Sequence, residues 1–279
     1  MNAMEIPRKV AVVEARQRPS AMRGFFLSPR SGVLLILLIL GIWEFSARSG
    51  IVLSENWPPI SLVFLALARN LTHGGDIWRA LGGTLYRALA GLLIGSAIGV
   101  ALGVAMGTVS IVRRTIEPTI ELLRPLPVPA LIPPLVLFLG LENTMKITLV
   151  SLTAFFPVLI NTLQGVIAIE PTYRSVAATF GVPWRKTLGM VLMPAILPYV
   201  MAGIRTSLGL ALIVAVVAEM IAGSGGIGYY LMSMQYAERP ADMYGALFLL
   251  AFAGYALNWG FVLFERRILH WYVQSNARG

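Results

Sequence analysis

The 279-residue sequence contains no cysteine, only two histidines and few charged residues, which make up 13% of the chain. Without cysteine, neither a disulfide nor a thiolate metal site is available. The histidines, His73 and His270, lie far apart in the sequence and form no cluster. The sequence also lacks the G-x4-G-K-S/T segment that cradles nucleotide phosphates, and the G-x-S-x-G and H-E-x-x-H segments of hydrolases. These absences argue against an enzyme and against an ATPase.

Hydrophobic residues are abundant, at 57% of the chain. A water-soluble domain of this length cannot bury so much apolar surface, so we expect an all-α membrane protein whose first partner is the lipid bilayer. The formal net charge is +9. In a membrane protein such an excess predicts basic cytoplasmic loops rather than a nucleic-acid surface.

Six apolar segments predict six transmembrane helices in one domain, residues 31–270. The predicted spans are approximately 33–53, 82–108, 118–140, 145–169, 199–222 and 244–264. Residues 1–30 form a basic tail that is too long for the n-region of a signal peptide, and residues 271–279 form a short C-terminal tail.

The basic residues predict the orientation of the chain. An even number of spans leaves both termini on one side of the membrane. Most basic loop residues lie in the N-terminal tail, at Arg113 and Arg114, in the loop 170–198 and near the C-terminus. The positive-inside rule therefore predicts that both termini and this loop are cytoplasmic.

Two spans have unusual sequences. The second carries glycine at every fourth position, at Gly91, Gly95, Gly99, Gly103 and Gly107. Such a stripe lets another helix backbone approach closely, so we expect a helix-packing face. The third span contains six prolines between residues 118 and 134. Interrupted helices at membrane depth must lie against protein or a water-filled cavity, which favours a position beside the transport path. The alternative is a kinked helix with a structural role only.

Polar residues within the spans are the candidates for a pathway or a gate. Arg87 and Glu219 are charged, and we expect them to approach each other near the outer face as a gate, an anion contact or a structural pair. Asn161 and Gln164 are candidates for residues that line a cavity. The segment 223–228 fits G-x-G-x-x-G, but it follows a membrane helix and opens no βαβ unit, so nucleotide binding is not expected there.

The loop 170–198 is a polar, basic island between apolar runs. Pro171 favours a helix start and Gly181 a left-handed helix end. Between them, apolar residues recur at i, i+3, i+4 and i+7 and predict one apolar helix face, formed by Tyr173, Val176, Ala177 and Phe180. A second helix is predicted to begin at Pro183.

The spacing within this loop resembles the EAA loop of ABC importer permeases, whose pattern is E-A-A-x3-G-x9-I-x-L-P. Ala177, Gly181 and Pro194 match the pattern. Departures from it are Ser175 for Glu, Val176 for the first Ala, Val191 for Ile and Met193 for Leu. The resemblance extends from Trp78 to Arg267, through ELLRPLPVPALIPPLVLFLGLENTMKI and AGIRTSLGLALIVAVVAEMIAGSGGIGYYL, to the permease subunits of nitrate, sulfonate and taurine importers.

The resemblance implies a type I ABC importer-like permease fold in the inner membrane of a bacterium. It implies that this chain is not an enzyme and holds no cofactor, since ATP and Mg²⁺ belong to two cytoplasmic ATPase subunits. Further implied partners are a second copy of the chain or a close relative, and an extracytoplasmic solute-binding protein. The implied substrate is a small polar or anionic nutrient such as nitrate, taurine or an alkanesulfonate.

By the same resemblance, the residues that couple the permease to the ATPase are Tyr173, Ser175, Val176, Ala177, Phe180, Gly181, Val191 and Pro194. The alternative function is an ion-coupled secondary transporter that works without an ATPase. Inverted repeats and a buried carboxylate relay, which such a transporter would favour, are not evident in the sequence.

Overall fold

The computed structural model describes residues 29–52, 54–73, 75–169 and 179–270, and all regular elements in these ranges are helical. This agrees with the predicted all-α class. The chain divides into two units, the first ending at Ile60 and the second beginning at Ser61.

The first unit contains one long apolar helix, α1 (Pro29–Arg48). Apolar side chains from Val33 to Ile39 are all more than half exposed, which suits a lipid or protein environment. The predicted first span extended to residue 53, but the helix ends at Arg48. Gly50 follows with φ +70°, a left-handed conformation that glycine adopts without strain and that turns the chain.

The described residues of the second unit are mainly helical. Their bounds are α2 (Ile60–His73), α3 (Gly75–Thr108), α4 (Ser110–Leu123), α5 (Ile132–Leu139), α6 (Asn143–Ala168), α7 (Trp184–Thr187), α8 (Met193–Ala222), α9 (Ile227–Tyr236) and α10 (Pro240–Ile268). A 3₁₀ turn, Val128–Leu131, precedes α5, and a π turn, Leu188–Leu192, joins α7 to α8.

Four helical segments are long and apolar enough to cross a membrane: α3, α6, the continuous segment Trp184–Ala222 and α10. The pair formed by α4 and Val128–Leu139 adds a fifth if both halves belong to one span. The described residues thus supply four or five of the six predicted spans. The full set of six spans, with the first at 33–53, and the cytoplasmic placement of the termini stay predictions.

The third predicted span, 118–140, differs most from the structure. Its two helical halves meet at an angle of 90°. The bend falls where prolines at 125, 127 and 129 disfavour helical conformation in the residues before them. The first half begins at Ser110, so Arg113 lies within a helix rather than in a loop, where its guanidinium pairs with Glu117 at 3.1 Å.

The fifth predicted span also begins earlier than expected. The predicted span starts at Tyr199, but the helix starts at Met193, so Pro194 and Pro198 both lie within α8. Pro194 lies in the first turn, where its missing N–H costs little, and the π turn directly precedes it. The widened π turn accommodates the interruption of i→i−4 bonding, so the helix continues.

The centre of the second unit is formed by α3, α6 and α8, and α3 packs most extensively on α6. The glycines that lie along this contact are Gly91, Gly95, Gly99, Gly103 and Gly107. A Cβ added at Gly91 would lie 2.5 Å from the Cβ of Val150, and one at Gly99 would lie 2.9 Å from the carbonyl oxygen of Phe155. Any larger residue would therefore force the two helices apart.

Candidate functional site

A buried ion pair joins α3 to α8. Arg87 Nη1 lies 2.6 Å from Glu219 Oε1, and the Glu219 side chain has no exposed surface. The two residues are 132 positions apart in the sequence. The structure thus brings together the two intramembrane charges that were expected to approach each other. A short charge-assisted hydrogen bond between two buried groups is strong, and removing either partner leaves an uncompensated charge.

The second oxygen of Glu219 holds two further groups. The Thr84 hydroxyl donates to Oε2 at 2.7 Å, and the backbone N–H of Gly228 donates to the same atom at 3.0 Å. The Thr84 hydroxyl oxygen in turn accepts the N–H of Ile227 at 2.8 Å. The carboxylate is therefore fully bonded, and it fixes the turn between α8 and α9 onto α3.

This arrangement explains the G-x-G-x-x-G pattern at 223–228. Gly226 has φ +102°, and a Cβ there would collide with the Glu219 carboxylate. A Cβ at Gly228 would lie 2.7 Å from the Cβ of Glu219. The glycines permit a backbone to wrap closely around an anion, as in phosphate-binding loops, but the anion here is a side chain of the same protein.

Arg87 makes two more hydrogen bonds, which extend the cluster to α6. Its Nε donates to Asn143 Oδ1 at 2.7 Å, and its Nη1 donates to the carbonyl oxygen of Gly225 at 3.1 Å. One guanidinium therefore links α3, α6, α8 and the following turn. We name this set, consisting of Thr84, Arg87, Asn143, Glu219 and the turn 223–228, the charged cluster.

Sequence reasoning missed several members of the charged cluster. Thr84 precedes Arg87 by three positions, so both lie on one face of α3, and this spacing was a usable signal. Asn143 and Lys146 have the same spacing on α6. Lys146, whose burial the sequence did not indicate, is 1% exposed and lies in the first turn of α6.

The structure does not bring Asn161 and Gln164 into a common site. Asn161 Nδ2 donates to the carbonyl oxygen of Pro157 at 2.8 Å, within its own helix. Gln164 is exposed. A cavity of about 750 Å³ opens between α3, α8 and α10, but its lining is almost wholly apolar and includes neither residue.

The EAA-like loop is described only from residue 179 onward. Tyr173, Ser175, Val176 and Ala177 lie outside the described residues. Gly181 has φ +65°, as a left-handed helix end requires. Phe180 beside it is 80% exposed.

Exposed apolar side chains continue beyond this glycine. Trp184 on α7 and Met190 in the π turn are both more than half exposed. Val191 and Pro194, which match or nearly match the EAA pattern, are half-buried. Phe180, Trp184 and Met190 together are called the exposed loop patch below.

The described residues contain no group of three or more potential metal ligands. The arrangement provides a set of apolar helices, an internal charged cluster near one end of them, and an exposed loop patch. These features suit a membrane component that moves or gates.

Comparison with known proteins decides the family. Residues 95–270 match the sequence model of a family described as the binding-protein-dependent transport system inner membrane component. This chain belongs to that family. It is a permease component of an ABC importer, as the resemblance in its loop predicted.

The similarity to individual relatives covers nearly the whole chain. This permease is 30% identical over 257 residues to a putative aliphatic sulfonates transport permease of Bacillus subtilis, covering 92% of this chain and 91% of that one. It is 30% identical over 248 residues to the taurine transport system permease of Escherichia coli, covering 86% and 88%.

A solved structure shares the fold. The permease matches a chain of the inward-facing MetNI methionine ABC transporter with a TM-score of 0.58 and 18% identity. The match covers 74% of this chain and 97% of that chain.

Proposed function

We propose that this permease forms the membrane pathway of a bacterial importer for a small anionic or polar nutrient, and that alkanesulfonates and taurine are its first candidate substrates. The observation that carries the proposal is the match to sulfonate and taurine permeases over nine-tenths of the chain. A third relative, 30% identical over 186 residues, is the nitrate import permease of Synechococcus elongatus.

The proposed topology has six spans with both termini in the cytoplasm. α1 supplies the first span, and its exposed apolar side chains support a position in lipid or against another protein. The bent pair of α4 and α5 supplies the third span, and α3, α6, α8 and α10 supply the others. The basic loop that contains Arg185 and Lys186 then faces the cytoplasm.

Energy enters through two partner ATPase subunits. The exposed loop patch supports a docking role, since three large apolar side chains lie exposed on a basic cytoplasmic loop. Gly181 supplies the left-handed turn that directs the preceding residues. The proposed coupling residues are the eight of the EAA-like loop, of which the first four lie outside the described residues. An external solute-binding protein delivers the substrate.

The charged cluster is the proposed outer gate. It holds the turn 223–228 against α3 and α6 through one guanidinium and one carboxylate. Because the helices that it joins form the centre of the unit, their separation would require these bonds to break together. Asn161 and Gln164 stay pathway candidates for a surface shared with a second copy, since both lie on α6 at or near the surface.

ATP-driven uptake tests this proposal. The permease would be purified with the ATPase encoded beside it and reconstituted in liposomes with the matching binding protein. We expect uptake of radiolabelled ethanesulfonate or taurine that requires ATP on the ATPase side and persists when ionophores collapse ion gradients. Uptake that needs an ion gradient and ignores ATP would show a secondary transporter instead.

A further inference from the structure

Lys146 is a buried cation that the charged cluster does not use. It is the fourth residue of α6, and its side chain is among the largest that are fully buried. Among the described residues, no ion pair or hydrogen bond engages its ammonium group. An ionised group buried in this way is costly unless a counter-charge or water reaches it.

The neighbouring charges do not supply a dedicated counter-charge. Arg87 and Glu219 are the other charged groups that are buried among the described residues. The two oxygens of Glu219 already accept bonds from Arg87, Thr84 and Gly228. Glu142, which directly precedes α6, is exposed, so water screens it. The buried groups therefore comprise two cations and one carboxylate.

Arg87 has an unused donor beside this excess charge. Its Nε and Nη1 atoms make all the hydrogen bonds that it forms with the described residues, so Nη2 has no acceptor there. Two glycines border Nη2, since a Cβ at Gly83 would lie 3.7 Å from it and one at Gly225 would lie 3.9 Å from it. The lack of side chains at both positions keeps this side of the guanidinium accessible.

The first turn of α6 adds free backbone donors at the same place. α6 begins at Asn143, and the side chain of Glu142 at its N-cap makes no capping hydrogen bond. The first N–H groups of a helix lack partners within it and carry the positive end of its dipole, which favours bound anions. Asn143, which bonds Arg87, fixes this helix end beside the guanidinium.

We propose that Lys146, Nη2 of Arg87 and the first turn of α6 form a binding site for one small oxyanion, such as a sulfonate, nitrate or phosphate group. A bound oxyanion would neutralise the excess buried charge and accept the unused donors. Two sources share this chemistry: the transported anion and the phosphate of a lipid headgroup. The statement that the bound anion is the transported one rests on the proposed function, whereas anion binding itself does not.

The test is a titration of the full permease complex in detergent with ethanesulfonate, with dimethyl sulfone as an uncharged probe of similar shape. We expect saturable binding of ethanesulfonate and none of the sulfone. Lys146→Met should weaken the affinity about tenfold or more, the effect of losing one charge-assisted contact, while Lys146→Arg should stay close to wild type. Arg79→Met, which removes an exposed charge from the same end of α3, should leave binding unchanged.

Any of three results would overturn the site. The wild type does not bind ethanesulfonate saturably, it binds dimethyl sulfone equally well, or Lys146→Met binds ethanesulfonate with unchanged affinity. If Lys146→Met does not fold, the comparison of the two probes on the wild type and on Lys146→Arg decides alone.

Repeating the titration in phosphatidylcholine vesicles identifies the source of the anion. Ethanesulfonate binding that persists there assigns the site to a soluble anion, and binding that is lost there assigns it to a headgroup phosphate. The titration uses neither ATP nor transport. Its failure would therefore overturn the site and leave the proposed function standing. If ethanesulfonate binds but ATP-driven uptake is absent, the proposed function is overturned and the site stands.

Discussion

At the residue scale, the hydroxyl of Thr84 connects two groups on different elements. It donates to Glu219 and accepts the N–H of Ile227. Thr84→Val keeps the shape of the side chain but leaves the buried N–H of Ile227 without its acceptor, at about 1–3 kcal/mol, and leaves Glu219 Oε2 with the Gly228 N–H as its remaining donor. We expect a lower thermal unfolding midpoint of the purified permease, and Thr84→Ser, which keeps the hydroxyl, should recover most of it. Equal unfolding midpoints for Thr84→Val and Thr84→Ser would show that the hydroxyl does not contribute to stability.

The ion pair gives a second prediction at this scale. Glu219→Gln leaves the Arg87 charge buried and uncompensated, at about 3–5 kcal/mol, so the unfolding midpoint should drop sharply. The exchange Arg87→Glu with Glu219→Arg restores the charge balance but provides no acceptor for the Gly228 N–H or the Thr84 hydroxyl. The double variant should therefore recover only part of the loss, as a double-mutant cycle would measure. If the unfolding midpoint of the double variant is no higher than that of the less stable single variant, Arg87→Glu or Glu219→Arg, the role of the pair is contradicted.

At the element scale, the contact between α3 and α6 depends on glycine. Gly95→Ala places a Cβ against the carbonyl of Ser151 and 3.0 Å from the Cβ of Ala154, so the helices must separate, at about 1–3 kcal/mol. Gly209→Ala on α8 is the matched control, because no atom lies within 4 Å of its added Cβ. It should be neutral or stabilising by up to about 1 kcal/mol. Similar unfolding midpoints for the two variants would refute the packing role of the stripe.

The loop before α7 gives a separate prediction at this scale. Gly181→Val forces a β-branched residue into a conformation with φ +65°, at about 1–2 kcal/mol, although the space around it is open. We expect normal membrane insertion but a loss of substrate-stimulated ATP hydrolysis and uptake. Gly181→Asn should retain both, because asparagine tolerates the left-handed region. Full coupling in the Val variant with the ATPase still bound would exclude this turn from the coupling element.

The sequence was sufficient to predict the helical class, the family and most of the long apolar helices, because continuous apolar runs and the EAA-like spacing are strong signals. It also indicated that Arg87 and Glu219 would meet, since two isolated charges at membrane depth favour pairing. It did not indicate α9, which lies between the fifth and sixth predicted spans. The prolines of the third span indicated an interruption but not its angle of 90°, and nothing in the sequence indicated that the helix continues through Pro198 after a π turn.

The sequence could not predict that the turn 223–228 wraps around Glu219. A glycine-rich segment indicates that its backbone approaches another group closely, but it does not identify that group. The burial of Lys146 was not predicted either, because a single lysine at the boundary of a span does not show whether it is buried. Tertiary packing of α6 against α3 decides this point.

At the scale of the whole molecule, a single chain leaves much apolar surface uncovered. Leu137 and Phe138 on α5 are each 85% exposed, and α10 is scarcely buried along its length. Lipid covers part of such a surface, and a second copy of the permease would cover another part and enclose the pathway between the two. The family to which the chain belongs is a component of a transport system, so we propose that transport requires an assembly rather than this chain alone.

Native mass spectrometry of the purified, transport-competent complex tests this account most directly. It measures which subunits are bound and in what number, in the same preparation that is assayed for uptake. We expect two copies of this permease, or one copy with a close relative, together with two ATPase subunits. A stable monomer that transports substrate without an ATPase would contradict the account.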